Sequence, residues 1–300
     1  MKKRMIGCLL LVALGCYVMK EGIWSLFNEK HFMSDHKTSQ ITLDLYSNYA
    51  VLTRQQDGKI LYQKHAQERM YPASLTKIMT VYLAIQHVED LQRTVIVPSD
   101  IFHPLEEENA SMAGFMPMEE VTIEDLLYGA LLSSGADACV TLAEAISGSE
   151  EAFVELMNEE AKRIGMKDTH FENCTGLDHK NHYSTVMDIE LLLQKALQNK
   201  TFTTIFYTKS YMTTPGTIHP DGLMVTSTMR HTMELHGLSD SHILGGKTGY
   251  TYGAGLCLAS QGEVNGVQYI FISAGADGDA ETKPFHILDA IKVYDAIAES

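Results

Sequence analysis

Ser74 and Lys77 stand three residues apart in Tyr71-Pro72-Ala73-Ser74-Leu75-Thr76-Lys77, at the head of an apolar run. A serine hydroxyl is a weak nucleophile until a base takes its proton, and a neutral amine can be that base. The run continues through Ile78, Val81, Tyr82 and Ile85 at helical spacing. Residues 75 to about 88 are therefore predicted as an amphipathic helix, with Pro72 marking the turn before it. Positions i and i+3 share a helix face, which sets the Lys77 amine beside the Ser74 hydroxyl. Unpaired N–H groups at a helix start can also stabilise a developing oxyanion. Nucleophile, base and donors make the beginning of an acyl-transfer site. By itself the spacing is weak, because a serine before a helix is most often only an N-cap.

Two further stretches strengthen it. Ser133-Ser134-Gly135-Ala136-Asp137-Ala138 lies between two apolar helical runs, and Gly245-Gly246-Lys247-Thr248-Gly249-Tyr250-Thr251 leads into the C-terminal strands. The order Ser-x-x-Lys, Ser-Gly-x, Lys-Thr-Gly is that of the penicillin-recognising serine enzymes. With these motifs in place, the sequence resembles the serine D-alanyl-D-alanine carboxypeptidases, the low-molecular-mass penicillin-binding proteins. The stretch from Glu120 to Tyr128 is similar to the family segment before the second motif. Thr169 to Asp178, His182-Tyr183-Ser184-Thr185 and Asp188 are similar to further family signatures. The resemblance covers about residues 45–298.

That resemblance implies an α/β (α+β) fold, a penicillin-binding/β-lactamase-like domain with its active site between sheet and helical part. It implies Ser74 as the acylated nucleophile, Lys77 as its base and Ser134 as a proton relay toward the leaving amine. Lys247 and Thr248 are expected to hold the substrate's terminal carboxylate, and Gly249 to leave room for its backbone. The N–H groups of Ser74 and Tyr250 would form the oxyanion hole. Desolvation and the Lys247 ammonium would both lower the Lys77 pKa toward the range a base needs.

The implied reaction removes the terminal D-alanine from peptidoglycan stem peptides ending in D-Ala-D-Ala, with β-lactams as covalent inhibitors and no cofactor. D,D-transpeptidation shares the acyl-enzyme, and a slow-turnover penicillin-binding sensor shares the first half-reaction. A β-lactamase is disfavoured, since no E-x-x-L-N run lies between the second and third motifs. No metal is expected: His179, His182, His231 and His236 form no H-E-x-x-H, and the resemblance puts His182 in a structural loop. One departure bears on turnover. The second motif normally ends in Asn, and position 136 is alanine.

The elements that must position these residues begin with a hairpin. Ala50-Val51-Leu52-Thr53 and Lys59-Ile60-Leu61-Tyr62 flank Asp57-Gly58, and Thr94–Val97 suggests a short strand. A helix is predicted from Glu119-Glu120-Val121-Thr122 onward, others at about 137–147 and 150–164, and one after Ser184-Thr185. Gly255–Ser260 and Val267–Ser273 form a second hairpin about Asn265-Gly266, and residues 283–300 a final amphipathic helix. A mostly antiparallel sheet from the two chain ends, flanked by helices and with a helical subdomain inserted, follows.

The 300 residues carry a net charge of −15, which offers no basic stripe for nucleic acid. Lys2, Lys3 and Arg4 precede an uncharged run from Met5 to Met19, the pattern of an export signal. As a helix that run spans roughly 22 Å, short of a bilayer core unless interfacial Trp24 and Phe27 help anchor it. Residues 1–27 are expected to be an export signal or N-terminal membrane anchor, 28–44 a linker and 45–300 the catalytic domain. Cys16 also ends a loose lipoprotein box. With no apparent spare C-terminal tether, the N-terminal segment is expected to hold the exported protein at the outer face of the cytoplasmic membrane. Cys139, Cys174 and Cys257 lie too far apart for a disulfide framework and read as buried apolar residues.

Overall fold

Strands from the two ends of the chain meet in one sheet. The computed structural model describes residues 43–239, 241–279 and 281–299. The N-terminal segment and most of the linker therefore lie outside the described residues. β1 (Tyr49–Arg54) and β2 (Lys59–Lys64) form the first hairpin, with Gly58 at φ +66° in its turn. β8 (Gly255–Val264) and β9 (Val267–Ala276) form the second. Asn265 and Gly266 take φ +53° and +76°, the left-handed pair that a tight two-residue hairpin requires. With β7 (Ile243–Thr251), the antiparallel order is β2-β1-β9-β8-β7.

The central strands alternate between two cores, as period-two geometry demands. Leu52, Leu258 and Phe271 pack with Ile287, Val293 and Tyr294 of the final helix, Phe285–Ala298. Val51, Cys257, Ala259, Ile270 and Ile272 face the other way, into the large core shared with the helical part. Asp289 on the final helix accepts the Tyr46 and Ser47 N–H groups and the Ser47 hydroxyl, tying the start of the domain to its end.

Between the hairpins the chain is mainly helical. α1 (Lys77–His87) is buried along Lys77–Ala84, so it is a central helix rather than the amphipathic one predicted. α2 (Phe102–Glu107) follows, and α3 (Ile123–Leu131), α4 (Ala136–Ser147), α5 (Glu150–Ile164) and α6 (Val186–Ala196) pack against α1, with α2 lying on α4. α7 (Lys200–Tyr207) and α8 (Thr228–Leu235) precede β7, and the final helix is α9.

The stretch at Glu119–Thr122 departs from expectation. β4 (Glu120–Thr122) pairs with β3 (Thr94–Ile96), and the helix starts only at Ile123. Thr122 keeps an extended backbone and closes a capping box with Asp125, so its β-branched side chain caps the helix instead of entering it. A small ribbon, β5 (Ser210–Met212) with β6 (Met224–Thr226), completes the fold.

Candidate active site

Ser74 sits in a 3₁₀ turn, Ala73–Thr76, that runs directly into α1. Ala73, just before it, holds φ +47°. A non-glycine residue takes that left-handed conformation at a cost of about 1–2 kcal/mol. Lys77 follows as the first residue of α1, 3% exposed. Its Nζ donates to Ser74 Oγ at 3.0 Å and to the Thr175 carbonyl at 2.6 Å. Desolvation lowers its pKa below the usual 10.5, in the direction a base near neutral pH requires.

Ser134 is the last residue before the Gly135 cap of α4 and is itself strained, at φ +62°. A Cβ at Gly135 would come within 2.7 Å of Ala113 and of Asp137 Oδ1, so only glycine fits there. The Asp137 carboxylate accepts the N–H groups of Ala113, Gly114 and Phe115, pinning that segment to the head of the helix. Ala136 is 1% exposed, and its N–H donates to the Ser111 carbonyl at 2.7 Å.

The third stretch is an edge strand in its own right, not a lead-in to one. On β7, fully buried Lys247 donates to Ser134 Oγ at 3.0 Å and to the Thr248 carbonyl at 2.7 Å. Burial pushes its pKa well below 10.5, and the charge of Lys77 pushes it down further. Gly249 passes close to Ser74: a Cβ there would stand 3.1 Å from the Ser74 amide nitrogen. Tyr250 follows at the rim, 42% exposed. All the residues singled out by the three motifs thus converge where the 3₁₀ turn, the head of α4 and β7 meet.

Two contributors are given no role by the sequence reading, although the second lies within the Thr169–Asp178 signature. Thr228 Oγ1, at the start of α8, lies 2.6 Å from Thr248 Oγ1. A threonine there reads only as part of a helix start. The other is the loop from Asn173 to Asp178. Its Thr175 carbonyl is the second partner of Lys77, and its Cys174 carbonyl accepts Thr80 Oγ1, one turn along α1. Asn173 Oδ1 accepts from Thr175 N, Thr175 Oγ1 and Gly176 N, while its amide donates to the Leu177 carbonyl. Asp178 then takes Thr251 Oγ1 at 2.6 Å and Gly253 N–H at 3.1 Å, fastening the loop to the β7–β8 turn. The Asn-x-x-Gly spacing was the available signal, and its glycine takes φ +85°.

His182 braces the same loop. Its Nδ1 accepts the Glu172 N–H, which leaves the proton on Nε2 to donate to Thr76 Oγ1 at 2.9 Å. Burial drives its pKa down to about 3, so the ring is neutral. The thiols of Cys139 and Cys257 are pushed up to about 12 by burial and stay protonated.

A family model described as peptidase S11, D-alanyl-D-alanine carboxypeptidase, matches residues 35–278. The chain belongs to that family. It is 36% identical over 249 residues to the D-alanyl-D-alanine carboxypeptidase DacF of Bacillus subtilis, covering 82% of this chain and 61% of DacF. It is 33% identical over 211 residues to a D-alanyl-D-alanine carboxypeptidase of Streptomyces sp. strain K15, covering 67% of this chain and 71% of that one. The crystal structure of the Streptomyces K15 DD-transpeptidase superposes with a TM-score of 0.75 at 26% identity, covering 85% of this chain and 98% of its own. The chain spans about three-fifths of the length of DacF. This S11 peptidase has the penicillin-binding fold of its structural relatives, a mixed helical and antiparallel-sheet domain.

Proposed function

We propose that this S11 peptidase removes the terminal D-alanine from peptidoglycan stem peptides ending in D-Ala-D-Ala, through an acyl-enzyme on Ser74. The observation that carries the reading is the Lys77 amine, buried, its pKa lowered, 3.0 Å from Ser74 Oγ. Neutral Lys77 takes the Ser74 proton as Oγ bonds to the carbonyl carbon of the penultimate D-alanine. The oxyanion lies between the N–H groups of Ser74 and Tyr250, each donor contributing roughly 3 kcal/mol to the transition state. Lys247 and the paired Thr248 and Thr228 hydroxyls receive the carboxylate of the leaving residue. Ser134 relays a proton to the departing nitrogen as the C–N bond breaks. Water, deprotonated by Lys77, then hydrolyses the ester. Gly249 lets the substrate backbone lie beside β7, close to Ser74.

An amine in place of that water gives transpeptidation, a second outcome favoured by the relative solved as a DD-transpeptidase. The test is mass spectrometry of a defined muropeptide pentapeptide with the full chain and with Ser74→Ala, with and without an amine acceptor. Loss of one alanine by the wild type alone supports hydrolysis, and a new acceptor-bearing peptide supports transfer. Equal loss from the Ser74→Ala protein overturns the assignment. Penicillin should label Ser74 and fail to label that variant.

For location, the proposal is export, with residues 1–27 holding a catalytic domain of residues 45–300 at the outer membrane face across a linker, 28–44. The Lys/Arg-flanked apolar run motivates it. Replacing residues 1–27 by a cleavable signal should release the protein from membranes; unchanged membrane binding would place the tether elsewhere.

A further inference from the structure

The direction of β7 orders the substrate. On the reading proposed above, its carboxylate end meets Lys247-Thr248 and its scissile carbonyl meets Ser74 and Tyr250. The arm upstream of the terminal dipeptide must therefore leave the site beyond Tyr250. A cavity of about 790 Å³ opens there, bounded by Tyr71, three residues before the nucleophile, and by Tyr250 and Tyr252 after the Lys-Thr-Gly. Its volume falls in the usual range for a ligand pocket.

The lining is chemically specific. In a chain of net charge −15, two cations, Arg69 and Lys180, and one acid, Asp277, face this cavity. Arg69 is already engaged, pairing with Asp168 at 2.9 Å and lying 4.2 Å above the Tyr183 ring. Lys180 makes no ion pair among the described residues and is exposed. Exposed aromatic rings beside an ammonium with no ion-pair partner among the described residues suit an extended peptide that carries an anion.

We propose that this cavity is a subsite for the upstream arm of the stem peptide, with Lys180 facing a free carboxylate on that arm. The proposal rests on the D-Ala-D-Ala reading above, and its test is separable from that reading. Three probes differ only upstream: acetylated L-Lys-D-Ala-D-Ala, the same tripeptide extended by γ-linked D-Glu with a free α-carboxylate, and the α-amide of that extension. Calorimetry on the Ser74→Ala chain measures binding without turnover, while D-alanine release by the wild type tests the activity on its own.

The carboxylate probe is expected to bind about fivefold more tightly than its amide, the upper end for a solvent-facing ion pair. Lys180→Gln should erase that difference while leaving tripeptide binding and penicillin acylation unchanged. Equal affinity for acid and amide overturns the proposal, as does a preference that survives Lys180→Gln. If binding discriminates but no D-alanine is released, the subsite stands and the hydrolase reading falls.

Discussion

Gly176→Ala is the sharpest perturbation of the proposed base, Lys77, that leaves every motif side chain unaltered. Gly176 holds φ +85°, and a Cβ there would lie 1.9 Å from the Ala73 carbonyl oxygen, 2.4 Å from the Ala73 carbonyl carbon and 3.0 Å from the Ser74 nitrogen. The left-handed backbone alone costs an alanine about 1–2 kcal/mol. The overlap is with backbone and cannot be relieved by a rotamer change, so overpacking adds about 1–3 kcal/mol. The expected loss of stability is about 2–5 kcal/mol.

Relief must come by moving the loop, and with it the Thr175 carbonyl that holds Lys77 at 2.6 Å. Acylation should therefore fall by about a hundredfold, the effect of displacing a reacting group by about 1 Å. Gly165→Ala is the matched control. It has φ +92° at the C-terminus of α5 with nothing within 4 Å of a Cβ, so it bears only the conformational cost. Urea unfolding and the rate of labelling by a fluorescent penicillin, measured on both variants, decide the matter. If Gly176→Ala is no less stable and no slower than Gly165→Ala, the loop does not position the base.

Three further outcomes are expected. In the proposed mechanism the neutral amine is the reactive form, and burial lowers the Lys77 pKa, so acylation should rise with pH to a plateau with its midpoint below 10.5. Stopped-flow rates that stay flat or fall with pH contradict this. His286 is buried with Nδ1 unpartnered and its pKa lowered to about 4 from 6.5, so the unfolded chain binds the proton first as pH falls. Between pH 6.5 and 5 that one group should remove about 1.5 kcal/mol of stability. His286→Leu should lose correspondingly less over the same span in urea titrations, and parallel slopes would show the histidine is not responsible. Ala136→Asn should speed acylation several-fold, since a hydrogen bond to a charged group contributes about 1.5–3 kcal/mol and packing offsets part of it. Unchanged or slower acylation means that the 1%-exposed site is closed to the larger side chain.

What the sequence made legible follows the reach of local chemistry. Ser74 and Lys77 were readable because i,i+3 spacing on one helix needs no knowledge of the rest of the fold. Asn265-Gly266 marked its hairpin because few residue pairs accept two left-handed conformations. β7 was hidden, since Gly245-Gly246-Lys247-Thr248-Gly249 has little strand propensity and is held by pairing with β8. α7 and α8 escaped because eight residues make too short a window for periodicity. Thr175 acts on Lys77 through its carbonyl, a group every residue has, so side-chain identity carried no trace of the role.

The costs of this fold are concentrated where the motifs meet. Ala73 and Ser134 both hold positive φ, and Lys77 and Lys247 are both buried amines. Strained backbone costs of order 1–3 kcal/mol per residue, and such costs persist only where surrounding structure over-determines the conformation. Here it does. The 3₁₀ turn is gripped between β7 at Gly249 and the loop at Gly176, two glycines whose missing side chains allow the approach. The loop is in turn anchored to α1 through Thr80 and to the β7–β8 turn through Asp178. β7 and Lys77 thus share one support, and a change at either end of the loop is felt at both.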